Sequence, residues 1–217
     1  MSKPIPPRKR GRPAKAPADH DQRTRILDIA TDLFSRQGIS ATSLSEIARR
    51  AQITPALMHY YFGNRESLLD ALVAERLEPA VAAVSLKMAG AGEDLRELVS
   101  RFVRAMIAEI ANTPWFPPLW VREVLSEGGL LRERLIGKIG SPLTLHLRNR
   151  FAEAQRKGEL NRDLDPNLLV VSLISLTIFP FASASIWRGL FGADYVTPDI
   201  IVQHALALLD RGLELPK

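Results

Sequence analysis

Between Thr42 and Phe62 the chain sets hydroxyl, imidazole and phenol side chains among apolar residues at helical spacing. Ser43 and Glu46 have the spacing of a capping box, so a short helix should open at Leu44 and run to about Ala51. Thr54-Pro55 puts a side-chain acceptor at an N-cap and a φ-fixed residue at N1, so a second helix should run from Pro55 to Phe62. Leu44, Ile47 and Ala48 of the first helix would then face inward with Met58, Tyr61 and Phe62 of the second. Pro55, Ala56, Leu57, His59 and Tyr60 are left outward. Small apolar groups beside a His and a Tyr are poorly placed for water and suit thymine methyls and backbone phosphates. Two short helices about a tight turn, with such a face on the second, form the helix-turn-helix arrangement.

Other chemistries find little support. Cysteine is absent, which removes thiol nucleophiles, disulfides and cysteine-ligated metals. The four histidines (His20, His59, His146, His204) are far apart, without the close pairs of metal-binding helices. No GxGxxG, Walker-type or GxSxG loop occurs. The expectation is a chain with no catalytic residues, no metal and no cofactor.

Charge points the same way as the helices. The net charge is +5 over 217 residues, but the first 18 carry +6 through Lys3, Arg8, Lys9, Arg10, Arg12 and Lys15, leaving −1 for the other 199. That segment also holds five of the fifteen prolines, so it cannot bury enough apolar surface to order itself and reads as a disordered basic arm. Such an arm fits a polyanion, the plainer reading being a solvated tail. Its basic start leads into prolines, not an apolar stretch, so no secretory signal is expected. Pro166 to Trp187 carries no charge and is long enough to span a bilayer, but five Ser and Thr residues and Pro180 favour a buried helix over a membrane span.

The rest reads as helix after helix, and the predicted class is all-α. A first helix should run from about Asp21 to Gln37, with Ile26, Ala30, Leu33 and Phe34 on one face and Gly38 as its stop. A long helix starting near Arg65 should be kinked or ended by Pro79. Further helices are predicted at about 94–112, 114–127, 130–138, 142–158, 166–188 and 198–213. Thr113-Pro114, Ser141-Pro142, Asp165-Pro166 and Thr197-Pro198 mark four of their starts. The division is an arm over 1–18, a helix-turn-helix domain over 19–66 and a helical domain over 67–217.

The run Ile26 to Phe34, then Gly38, Thr42 to Ala51, Thr54 to Phe62 and Gly63-Asn64-Arg65-Glu66-Ser67-Leu68-Leu69 resembles the DNA-binding domain of the tetracycline-repressor (TetR) family of bacterial regulators. The resemblance implies that Thr42, Ser43, His59, Tyr60 and Arg65 hold phosphates. It also implies that Pro55, Ala56 and Leu57 lie near base edges, with Thr54 at the head of the reading helix. Tyr60 has the alternative of packing on the fourth helix. This sequence departs from the family pattern at Gln52, where a turn glycine is usual, at His59, often a tyrosine, and at Arg65, usually a lysine. Arg10-Gly11-Arg12-Pro13 resembles an AT-hook core, in which arginines lie in a narrow, strongly negative minor groove.

In the C-terminal part, Ile201, Ala205 and Leu208 make one apolar stripe and Val202, Leu206, Leu209 and Leu213 a second. A helix apolar on two sides is buried on two sides, which a homodimer through the last two helices would satisfy, as would a deeper monomer core. The resemblance implies the dimer. Trp115, Phe116 and Trp120 crowd one proline-rich segment, and Phe102, Met106, Phe151, Phe179 and Trp187 sit on helices that can converge with it. They could line a cavity for a small hydrophobic effector or simply form core. Arg122, Glu123 and His146 are the polar candidates nearby. Together these readings describe a cytoplasmic, homodimeric regulator, a repressor released from a pseudo-palindromic double-stranded operator by its effector. The alternative is a constitutive architectural DNA-binding protein that recruits a partner and has no effector.

Overall fold

A computed structural model describes residues 17–90, 92, 94–135 and 141–213. The basic arm, including Arg10, Gly11 and Arg12, lies outside the described residues. All described elements are helical: α1 (Pro17–Gln37), α2 (Leu44–Arg50), α3 (Pro55–Phe62), α4 (Arg65–Leu72), α5 (Glu78–Met88), α6 (Leu95–Asn112), α7 (Phe116–Trp120), α8 (Arg132–Leu135), α9 (Ser141–Lys157), α10 (Pro166–Ala182), α11 (Ala184–Phe191) and α12 (Pro198–Leu213).

Local signals explain most boundaries. Thr54 caps α3 through Leu57 N–H (3.2 Å), and Ser43 caps α2 through Glu46 N–H (3.1 Å). Asp165 caps α10 with bonds from Asn167 N–H (2.8 Å) and Leu168 N–H (3.1 Å). The Leu168 amide, then the Asn167 side chain and amide, hold this carboxyl below the usual carboxylate range. Helix α1 starts earlier than expected, because Pro17 occupies a first turn in which its missing amide hydrogen costs nothing.

Three proline-based expectations need correction. Of the two outcomes expected at Pro79, a kink or an end, the helix does not end: α4 passes through a π-helical turn, Val73–Leu77, into α5. The carbonyl of Glu75, which an amide at position 79 would normally bond, accepts from the Arg76 guanidinium instead (2.8 Å). Thr113 does not open a helix. Its hydroxyl bonds back to Glu109 C=O (2.7 Å) and closes α6, and α7 starts only at Phe116 before a second π-helical turn, Val121–Leu125. The span predicted as one helix over 166–188 is two, α10 and α11, bent by 68° at Ser183. Pro180 weakens the last turn of α10; at the bend Phe179 C=O accepts both the Ser183 amide (3.0 Å) and the Ser183 hydroxyl (2.7 Å), and Pro180 C=O accepts from the Trp187 indole (2.8 Å). Among the described residues no single helix is long and apolar enough to cross a membrane.

Two cores organise the chain. The first joins Ile26, Leu27, Ala30 and Phe34 of α1, Ile47 and Ala48 of α2, Met58 and Phe62 of α3, and Leu68, Leu69 and Leu72 of α4. It continues through Val73 and Leu77 to Leu119, Val124, Leu131 and Leu135. The helix-turn-helix unit therefore shares its core with the α7–α8 segment, across the expected boundary at residue 66. The second core packs α5, α6, α9, α10 and α12 around Phe102, Phe151 and Leu173.

In α12 the two predicted stripes merge. Ile201, Val202, Ala205 and Leu209 all face the second core, Leu206 is half-buried, and Leu208 is exposed. The outward apolar face is instead made of Leu168, Val171 and Phe179 on α10, Ile186, Leu190 and Phe191 on α11, and Ile200 and Leu208 on α12.

Candidate functional site

Helices α2 and α3 present the face that the sequence assigns to contact. The turn between them is closed by Ile53 N–H to Ala48 C=O (3.0 Å), and Gln52 takes a left-handed conformation (φ +55°). A side chain there is strained, which is why glycine is the commoner choice at such a turn. Met58 and Phe62 are buried, and Tyr61 is half-buried with its hydroxyl bonded to Gln22 (3.1 Å). Thr54, Pro55, Ala56, His59 and Tyr60 are exposed and Leu57 is half-exposed, as the periodicity requires.

Tyr60 is 67% exposed and meets Tyr61 edge to face at 5.2 Å, so the surface reading, not packing on α4, fits its placement. His59 Nδ1 lies 2.5 Å from Gly63 C=O. The carbonyl can only accept, so Nδ1 carries the hydrogen and Nε2 faces outward. Ser43 is exposed and its oxygen accepts from the helix amide, leaving its hydroxyl hydrogen for a phosphate.

Two residues implied to hold phosphates are placed otherwise. Thr42 is 1% exposed, and its hydroxyl bonds to Gly38 C=O (2.7 Å) while accepting from Gln37 (3.1 Å). Arg65 turns back into the fold, donating to Ile39 C=O (3.0 Å) and to Thr42 C=O. Both side chains fix the loop that carries Ser43. Two exposed cations that sequence reasoning passed over, Arg49 and Arg50, end α2 beside the face assigned to contact. Their signal was only charge in a last helical turn, which also complements a helix dipole.

The C-terminal candidates separate into groups. Phe102, Met106, Phe116 and Trp120 come together around a cavity of about 120 Å³. Its other walls are Leu77, Val81, Val124, Leu135, Leu143, Thr144, Ile174 and Ile178. Among the described residues no ionisable side chain lines it. Phe179 is 65% exposed and lines a neighbouring apolar cavity of about 290 Å³, which shares Trp120, Ile174 and Ile178 with the first. Trp115 and Arg122 instead border a polar cleft against Asp28, Thr31, Asp32 and Ser35 of α1. His146 is exposed, Phe151 is fully buried in the second core, and Trp187 is half-buried with its indole on Pro180; none of these lines either of the two apolar cavities. Glu123 is buried but faces the Gly38–Ile39 turn (Ile39 N–H, 2.8 Å), not the cavity. The missed wall residues are ordinary core aliphatics, and only three-dimensional packing marks them out. Among the described residues no group of His, Cys, Asp or Glu could hold a metal ion.

A helix-turn-helix with an apolar outward face, backed by a helical domain that carries an apolar cavity, has the architecture of a DNA-binding regulator. Residues 26–72 match the family described as bacterial regulatory proteins, tetR family, and residues 96–210 match the tetracyclin repressor-like C-terminal domain. The chain belongs to the TetR family of transcriptional regulators. It is 24% identical over 159 residues to the HTH-type transcriptional regulator UidR of Escherichia coli K12, covering 71% of this chain and 77% of that one. It also resembles the structure of a TetR/AcrR-family regulator from Thermobifida fusca (27% identity, TM-score 0.59, 89% of this chain and 99% of that one). The ketosteroid regulator KstR2 of Mycobacterium tuberculosis shares the fold (TM-score 0.71, 19% identity, 88% and 94% covered). These relatives are regulators, and proteins of this family bind operator DNA, dimerise and respond to small molecules.

Proposed function

We propose that this chain is a homodimeric repressor that a small, uncharged, apolar effector releases from a pseudo-palindromic operator. The carrying observation is the cavity: twelve residues from eight helical segments, the two π-helical turns included, line it, and only Thr144 brings a hydroxyl. A charged ligand would lose its hydration there without a counter-charge, whereas a hydrocarbon-like one gains burial. Ser43, Thr54, Pro55, Ala56, Leu57, His59 and Tyr60 are the reading and phosphate-contacting set, and Arg10, Gly11 and Arg12 of the arm would add contacts in the minor groove. The exposed face of α10, α11 and α12 carries eight large apolar side chains, more than a monomer normally leaves to water, and supports a dimer through the C-terminal helices. In a bacterium operator DNA lies in the cytoplasm, where such a protein would act.

The test uses the full chain, an operator fragment selected from random DNA, and the uncharged fluorophore N-phenyl-1-naphthylamine. Saturable fluorescence enhancement together with loss of operator anisotropy supports this function. Operator binding that is indifferent to the fluorophore and to other uncharged apolar compounds, with no saturable enhancement, refutes the effector-released repressor.

A further inference from the structure

Glu123 stands out among the charged residues of the second domain. It sits in the π-helical turn that follows Trp120, next to Val124, and both neighbours wall the apolar cavity. Its own side chain is 6% exposed and points the other way. Oε1 accepts from Ile39 N–H (2.8 Å), in the turn between α1 and α2, and Oε2 accepts from Leu130 N–H (3.2 Å).

The approach is tight on both sides. A Cβ on Gly38 would stand 3.3 Å from Oε1, and one on Gly129 would fall 2.4 Å from the Glu123 carbonyl. A buried carboxylate is costly unless its acceptors are filled, so this one holds its two amide partners firmly. The backbone of Ile39 is bound on both sides, its N–H by Glu123 and its C=O by Arg65, and Arg65 also takes Thr42 C=O at the entry to α2. A continuous set of charge-assisted bonds thus runs from the cavity wall to the N-terminus of the first helix of the DNA-binding motif.

We propose that Glu123 is the positioning residue that couples the state of the cavity to the placement of α2 and α3. The proposal rests on the cavity being the effector site only for its biological meaning; the mechanical coupling is tested without any effector. An occupant that pushes on Trp120 or Val124 moves the π-helical turn, and Glu123 transmits that shift to Ile39, a tie a carboxylate makes and a shorter or apolar side chain cannot. Coupling of this kind is measured by a double-mutant cycle.

In the full chain, Met106→Trp fills the cavity, and Glu123→Leu keeps most of the bulk but removes both acceptors, so the bond to Ile39 N–H is lost. Operator affinity is measured in all four combinations. The expected result is a change of about fivefold or more for Met106→Trp alone, the lower end of typical allosteric coupling. In the Glu123→Leu background the change should shrink to less than about twofold. Equal changes in both backgrounds, or no change in either, overturn the proposal. If Glu123→Leu fails to fold, hydrogen exchange at the Ile39 amide decides instead: altered protection in Met106→Trp supports the coupling, and unaltered protection overturns it. A non-additive cycle in a protein that ignores N-phenyl-1-naphthylamine would leave the coupling standing and remove the effector reading alone.

Discussion

Replacing Arg65 distinguishes two roles that the same residue could serve. As a phosphate contact, its loss would reduce the salt dependence of operator binding and leave the fold intact. In the structure its guanidinium bonds to Ile39 C=O and Thr42 C=O, inside the α1–α2 loop. Hydrogen bonds to charged groups contribute about 1.5–3 kcal/mol each, and with this side chain half-buried the lower end applies, so Arg65→Ala should cost about 3 kcal/mol. For a chain of this length that corresponds to a fall in Tm of about 6–12 °C. Arg65→Lys keeps the charge but offers a point donor in place of a fork, and should lose about half as much. The assay is thermal melting beside operator titrations across a salt series. With about 0.9 slope units per phosphate, a lost contact in each half of a dimer would flatten the plot of log affinity against log salt by about 1.8. The structure predicts a lower Tm, weaker binding and an unchanged slope. An unchanged Tm with a flattened slope would refute the loop-clamp assignment.

Met58→Ala should destabilise the chain by about 2–5 kcal/mol because Met58 is 1% exposed in the first core, whereas Leu57→Ala should leave melting nearly unchanged and relax preference at one or two base pairs. Denaturant unfolding and binding-site selection for each variant check this pair. Gln52→Gly should raise stability by about 1 kcal/mol by relieving the left-handed strain at φ +55°, read as a shift in the denaturation midpoint. Deleting residues 1–16 removes six basic residues and stops short of α1, so it should flatten the salt slope by roughly four to seven units per dimer without altering melting. An unchanged slope would make the arm idle.

What the sequence revealed was local. Ser43, Thr54 and Asp165 announced their helices because each cap depends only on the next two or three amides. The facing of α3 was legible because its short period leaves one choice of inside. Pro79 and Thr113-Pro114 misled because rescue came from elsewhere: a guanidinium takes the Glu75 carbonyl, and α6 uses the Thr113 hydroxyl first. The break at Ser183 depended on a hydroxyl and an indole reaching back across a bend, which no propensity describes. At the site, the aromatic and methionine content found four of the cavity walls, Phe102, Met106, Phe116 and Trp120. It also gathered Trp115, Arg122, His146 and Trp187, which the fold sends to a cleft, the surface and a helix bend. The roles of Arg65 and Glu123 needed coordinates, since both bind backbone groups far away in sequence.

Selection of bound sequences from a random DNA pool by the full chain tests sequence-specific reading by α2 and α3 most directly. The predicted result is a pseudo-palindrome with half-sites about one or more helical turns apart, whose base preferences shift with Leu57→Ala and persist in Arg65→Lys. Absence of any enriched sequence, or an asymmetric site untouched by changes on α3, would contradict it.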